Sequence, residues 1–511
     1  MNDMSPMDLS GDALREYALC DDAVHAFTFP EHQQKFDLEL HVLAAEADCA
    51  PTFGWDTAFA IRFPDANAAI IRQHSSPASF QMTAPDNSCS ASGSFGDWQL
   101  TGGDGVDLHM SIPVTAGTLV YNGKKYDIAG VTAIVEVQLN YLPPPPLKRQ
   151  SPSPPPSTHD LKIKQKARGP VKVVSVLSIT APAGLGFMQK SMAGGLLGLW
   201  LNANLDEFDH TFNAVTLNRI IDNASFKWLA PTTTGYACVK GCTSQDSILA
   251  VLCMTEGRGT ATLTGQITPN AIPNGSHAGF LIAQERFLEK MVLPSLPGVF
   301  KGSRRTDFKM SDDKLSIINT ARIKTKTVSN AGTTYQPEIT TLNISVVGDE
   351  IVVHTETETD IGLGSVSEVT VTSFQNLILA DKPDGTQTLS YKQSRGPIKD
   401  NSTKTNASGE AQKIIIEIAA AILVAILTAI TDGAFLIVGL IILALLMGLL
   451  KAIPKQISDI VGKKISNNSP SMALLISNST DPIVWQGSKA FRLTEAGLAG
   501  SVRLGGNLGF A

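Results

Sequence analysis

The first fifty residues mix apolar and polar positions without a sustained period, and a regular pattern begins only beyond them. In FGWDTAFAIRFPDANAAIIRQH (53–74) alternation gives way at Pro64 and Asp65 to helical spacing, which predicts a strand running into a short helix. From Ser88 to Ile112, short alternating pieces separated by Gly, Ser and Asp predict hairpins. The cleanest alternation is YDIAGVTAIVEVQLNYL (126–142). There Ala129, Val131, Ala133, Val135, Val137, Leu139 and Tyr141 share one face and Glu136, Gln138 and Asn140 the other, which predicts a strand of ~45 Å. Strand-like alternation resumes at 171–180, 342–360 and 366–375.

Three stretches break this rhythm. The proline-rich insertion 143–158 cannot lie inside a sheet, because proline has no N–H to give a ladder, so it reads as an extended linker or projecting loop. In GFLIAQERFLEKMVLPSLPGVF (279–300), Leu281, Leu288, Met291 and Val292 recur at helical steps until Pro294 and Pro297, which predicts a helix with one apolar face. Residues 414–453 hold two uncharged apolar runs, 418–431 and 434–450, around Asp432-Gly433. Each run is shorter than the roughly 20 residues of a spanning helix, so 411–454 reads as an apolar helical hairpin. Its side chains, Ile426, Phe435, Leu440 and Leu445 among them, need cover from the protein itself, another copy, a partner or lipid. The hydrophilic run SRGPIKDNSTKTNASGEAQK (394–413) before it reads as a flexible hinge.

Composition narrows the class. Apolar residues make up 43% of 511 and charged residues 17%, enough for a large core and unlike a disordered chain. The 41 Lys and Arg against 47 Asp and Glu give a net charge of −6, so no global basic field invites nucleic acid. Six cysteines in this length do not make a disulfide scaffold, and MNDMSPMDLSGDALREYALC lacks the basic and apolar regions of a secretory signal. Synthesis in a reducing cytoplasm is expected, and later release with other components would leave no mark in the chain.

Candidate chemistry is sparse. His354, Glu356, Glu358 and Asp360 share a strand face in HTETETD, but at about 6.5 Å between neighbours they read as a solvated face rather than a metal site. Cys238, Cys242 and Cys253 have no matching ligand pair and read as buried free thiols. GFMQKS (186–191) imitates a phosphate loop but has Gln189 before its lysine, where a phosphate loop has glycine. GSHAG (275–279) places Ser276 next to His277 in what reads as a plain turn. No catalytic residue, metal or cofactor is expected.

Several motifs, in order, resemble a known family. They are GWDTAF (54–59), GSFGDWQLTGGDG (93–105), LWLNANLDEFDHTFNAV (199–215), FKWLAPT (226–232), VLCMTEGR (251–258), NAIPNGSHAGFLIAQERFLEKMVLPSLPG (270–298) and AGLAGSVRLGGNL (496–508). Together they resemble the forty-seven-kilodalton accessory proteins encoded beside clostridial neurotoxin genes. The resemblance implies an α+β, tubular lipid-binding (TULIP) fold, in which a long bent antiparallel sheet wraps around helices; the N-terminal extension, the proline-rich insertion and the apolar hairpin near the C-terminus are read from this sequence and depart from the family pattern. The chain is thus expected to divide into an extension, 1–50, and one TULIP-like body, 51–511. The resemblance also implies a non-enzymatic protein that binds lipid, a hydrophobic ligand or membrane and assembles with companion proteins or as a homo-oligomer. In that setting Leu281, Leu288, Met291 and Val292 are the expected lipid contacts, and Ile426, Phe435, Leu440 and Leu445 the expected membrane or partner contacts. The alternative is a membrane-inserting, pore-forming or insecticidal toxin component using 414–453.

Overall fold

The computed structural model describes residues 48–142, 157–164, 173–219, 226–300, 302–324, 327–330, 333–362, 365–381, 385–400 and 472–510. The apolar hairpin, with Ile426, Phe435, Leu440 and Leu445, lies outside the described residues, as do most of the N-terminal extension and of the proline-rich insertion. Among the described residues every strand pair is antiparallel and helices are few.

The larger sheet is built around strands with no polar face. Thr57–Arg62 pairs on one side with Ile248–Thr255 and on the other with Ala278–Ile282, which in turn pairs with Val502–Asn507. Alternation here sorts size rather than polarity. Ala58, Ala60, Ala250, Leu252 and Leu281 point into one apolar cluster. Phe59, Ile61, Val251, Cys253, Phe280 and Ile282 point into a second, larger one. Both faces are covered, so each strand reads as a continuous apolar run. From this centre the sheet extends through Pro231–Val239, Gln99–Gly105, Asp107–Tyr121, Thr132–Leu142, Ser157–Ile163 and Asn213–Leu217. The expected strand-to-helix junction is present, with the helix Phe63–Arg72 opening one residue before Pro64.

The smaller sheet runs Phe308–Met310, Ser316–Asn319, Pro337–Val347, Glu350–Gly362, Ser365–Asp381 and Gln387–Asp400. It meets the larger one where Gly500 N donates to Gly348 O at 2.7 Å and where Ser365–Asp381 lies against Arg492–Leu498.

Four expectations are corrected. The strand expected from Ala129 begins at Thr132, because the Asp127 carboxylate accepts from Ala129 N at 2.9 Å and Gly130 turns the chain at φ +80°. Leu281 lies on a strand rather than on the expected helix, which begins only at Gln284. The helical course is also not ended by its prolines. After a wide turn at Leu288–Val292, Pro294 and Pro297 each occupy an early position of a new short helical piece, where a missing N–H costs nothing. Finally, 394–400, expected as hinge, is strand. Arg395 bonds Glu350 at 2.9 Å and lies 3.6 Å over the Phe374 ring. Pro397 falls where the register slips between Arg395 and Ile398 on an edge strand, a position that tolerates proline.

The strands flanking the proline-rich insertion pair with each other, Leu142 opposite Asp160. The insertion therefore leaves and re-enters the same sheet.

Candidate functional site

Two regions concentrate unusual side chains. The first is an ion network joining residues far apart in sequence. Asp56 is 1% exposed, and its Oδ2 accepts from Thr255 N and Oγ1, both at 2.8 Å. Its Oδ1 accepts from Arg258 at 2.5 Å. Arg286, 2% exposed, bonds Glu256, Glu289 and Thr255 and lies over the Trp228 ring. Arg258 and Lys314 both reach Glu285, and Lys290 reaches Glu256. Burial pushes the Glu256 and Glu285 carboxyls up, but hydrogen bonds from Lys290 to Glu256 and from Lys314 to Glu285, with the neighbouring arginines, hold both below the ordinary glutamate value. The network pairs each of its carboxylates with a cation of its own. Its role is to fix the helical segment after Gln284 to both sheets, which the Gln284 amide reinforces by donating to Leu315 O and Val346 O.

The second region is apolar and open. The helix Phe187–Ala203 carries no acidic residue and one cation, Lys190, and is apolar except along the side of Lys190, Ser191 and Asn202. Leu196, Leu197, Trp200 and Leu201 are buried, with Trp200 5.1 Å from Phe95 and 6.5 Å from Phe80 between ring centres. Glycines turn its next face towards the strand Val174–Thr180. A β-carbon on Gly194 would stand 2.8 Å from Ile179 and one on Gly198 3.1 Å from Val176, whereas Gly195 faces open space. Glycine thus lets the helix sit low on the strand and leaves a groove of about 830 Å³, lined by Val176, Leu177, Ile179, Phe187, Lys190 and Leu199 among others. Asn202 closes one end, its amide bonding Val174 O and Gly198 O while its carbonyl accepts from Val173 N and Val174 N. Around the groove Phe187 is 87% exposed, Met188 53%, Leu177 47% and Leu199 38%.

The sequence-predicted residues fall elsewhere. Leu288 and Val292 are fully buried in the larger cluster and Met291 partly so, while Leu281 faces the opposite cluster, so the four do not form one stripe. Nothing in the alternation marked the groove. Its signal was the G-G-x-x-G run inside an apolar stretch, where the false phosphate loop GFMQKS proves to be the first turn of a helix.

The remaining candidates are occupied by local pairs. His354 bonds Thr372, Glu356 accepts from Thr341, and Glu358 pairs with Arg322. No group of three metal-ligating side chains occurs among the described residues. Cys238 and Cys253 are buried, and burial pushes both thiols up to about 12, but Cys242 is exposed on a turn rather than buried as expected. Ser276 donates to Glu495 at 2.8 Å while His277 faces Asp65 at 3.5 Å, so the adjacent pair diverges. No helix among the described residues is long and apolar enough to cross a membrane.

Comparison with known proteins now bears on this geometry. Residues 52–506 match the family described as OrfX-like, Protein OrfX2/OrfX3/P47. The chain is similar to Protein OrfX3 of Paraclostridium bifermentans, 30% identical over 490 residues that cover 89% of this chain and 98% of that one. Protein OrfX3 of Clostridium botulinum (strain Kyoto / Type A2) is likewise 30% identical over 499 residues, with the same coverage. Among solved structures, P47 from Clostridium botulinum A2 aligns with TM-score 0.57 at 16% identity over 90% of this chain and 99% of its own. P47 of Clostridium botulinum E1 aligns with the same score and identity over 89% and 99%.

Proposed function

Because the chain belongs to the OrfX2/OrfX3/P47 family, an accessory-protein family of toxin gene clusters, we propose that it acts without catalysis, by binding lipid, another hydrophobic ligand or a membrane and by assembling with companion proteins of the same fold. The observation that carries this reading is the groove beside Phe187–Ala203. The helix is largely apolar and buries Leu196, Leu197, Trp200 and Leu201, while its side of glycines, Lys190, Ser191 and Asn202, flanked by Phe187 and Leu199, opens onto a groove of about 830 Å³. The volume is in the range of small-ligand sites, and the wall mixes apolar side chains (Val176, Leu177, Ile179, Phe187, Leu199) with polar ones (Ser175, Ser178, Lys190, Ser191, Asn202), which suits an amphipathic ligand with a hydrocarbon part and a polar head. The tubular lipid-binding form of the fold belongs to the same proposal.

Native mass spectrometry of freshly purified protein tests it. Discrete additional masses of lipid size, removed by organic extraction, are the expected result, and a bare protein mass would count against ligand binding. Spectra recorded after mixing with companion proteins of the same fold read assembly. A second reading rests on the sequence of 414–453, whose apolar runs suit insertion into a bilayer. Vesicle dye leakage that survives deletion of 414–453 would dismiss it.

A further inference from the structure

Charge along the chain is not evenly spread. The stretch 161–205 carries Lys162, Lys164, Lys166, Arg168, Lys172 and Lys190 and neither Asp nor Glu, in a chain whose net charge is −6. This one stretch contains the groove helix, the groove strand and all four of the exposed apolar side chains around the groove. Phe187 and Met188 stand at the helix start, Leu177 on the strand and Leu199 further along the helix. Beside them Lys190 lines the groove and makes no ion pair among the described residues. Two of the cations further back are engaged. Lys162 pairs with Asp209 at 2.6 Å, and Lys164 donates to Gln138.

We propose that Phe187, Met188, Leu177 and Leu199 form a docking ridge for an anionic membrane surface, with Lys190 against the headgroups. The proposal rests on the hydrophobic-ligand reading above and names where a bilayer is met. Two physical facts select this occupant. Large apolar side chains exposed to water, Phe187 above all, gain free energy by entering the acyl boundary. Lys190, which pairs with no carboxylate among the described residues, is drawn to an acidic leaflet, from which a chain of net charge −6 is otherwise repelled. Contact through this ridge is peripheral, because its side chains reach only the acyl boundary. Orientation follows from the same residues. The start of Phe187–Ala203 goes in first, and the face of Leu196, Leu197, Trp200 and Leu201 stays on the protein.

Sedimentation with large vesicles of phosphatidylcholine, alone or mixed with phosphatidylserine, tests the surface. The full-length protein is expected to bind the mixed vesicles and not the neutral ones, and to release them as salt is raised. Phe187→Ser/Met188→Ser should weaken binding by at least about tenfold and Lys190→Glu by about fivefold, with unchanged melting curves because these side chains do not support the core. Leu177→Ser is a further exposed variant should the double substitution disturb the helix start.

Equal binding by the double variant, equal binding to neutral vesicles, or no binding by the wild type would each overturn the ridge. A change in the oligomeric mass of the double variant without any change in vesicle binding would also overturn it and assign the face to a second copy. If lipid is still carried in native spectra while the ridge fails these tests, the ligand-binding reading stands and only its docking surface is wrong. If the wild type neither carries lipid nor binds vesicles, both fail.

Discussion

The ion network around Asp56 and the groove beside Phe187–Ala203 are opposite solutions to placing unusual side chains in one fold. The network buries the charges of Asp56 and Arg286 and pairs them with partly exposed ones, leaving only Arg286 Nε of these two groups without a hydrogen-bond partner among the described residues. Asp56 and Arg286 are each at most 2% exposed, yet both sit among hydrogen-bonding partners. The groove leaves apolar surface uncovered, with Phe187 87% exposed. Buried charge that is paired locks elements together, and removing one partner strands the other. Exposed apolar surface contributes little to stability and is available for contact. The family motifs GWDTAF and VLCMTEGR contribute to the network, while the groove helix lies mainly outside the quoted motifs. What those motifs mark is therefore scaffold.

Substitutions separate the two regions by size of effect. Asp56→Ala leaves Arg258 and Arg286 short of a carboxylate in the interior, and chemical denaturation should show a loss of about 3–5 kcal/mol. A smaller loss would mean that Glu256, Glu285 and Glu289 suffice.

Acid should divide the regions next. His210 belongs to the aromatic group under the groove helix, bonded to Ser75 at 2.9 Å and 5.9 Å from Phe208, which stacks on Trp98. Burial pulls its pKa down from 6.5 to about 4. The unfolded chain then takes up the proton first, so stability is full above pH 6.5 and falls as pH drops towards 4, by up to about 1.4 kcal/mol per unit. Glu256 and Glu285, held below 4.5, contribute stability that is present above pH 4.5 and lost only below it. Melting temperatures across this range should decline first through His210, and His210→Phe should remove the upper part of the decline. An unchanged slope would refute the assignment.

Filling the groove is the finer probe. Gly194→Val drives a branched side chain into Ile179 and should cost about 1–3 kcal/mol. Gly195→Leu meets nothing within 4 Å and should leave stability unchanged or raise it by up to about 1 kcal/mol, while excluding a hydrophobic ligand. If Gly195→Leu carries as much lipid in native spectra as the wild type, the groove is not the binding place.

Much of the sheet was legible because alternation survives wherever one face differs from the other. Val131, Ala133, Val135, Val137 and Leu139 are all buried as the pattern predicts. The helix opening at Pro64 was equally clear. Alternation failed where both faces are apolar. In AGFLI (278–282) every residue is buried, so polarity carries no period and the segment was absorbed into the helix that follows. Failure in 394–400 had the reverse cause, since a strand held by Arg395 on Glu350 and Phe374 looks like a polar linker. The two candidate regions were hidden for different reasons. Asp56, Arg258 and Arg286 each lie in a recognisable motif, but their pairing spans about two hundred residues and no local spacing records it. The groove depends on glycines whose missing side chains leave no hydrophobic signature at all.

The pairing of Val502–Asn507 with Ala278–Ile282 sets a schedule for synthesis. Between the two strands lie roughly two hundred residues, which a ribosome adding ~5–20 per second needs on the order of ten to forty seconds to produce. Throughout that interval a wholly apolar strand sits at the open border of the growing sheet, a template for pairing with any other nascent chain. Shielding of this strand until Val502–Asn507 arrives is what such a schedule calls for. Messages cut short before Val502 should yield aggregate rather than a smaller working domain.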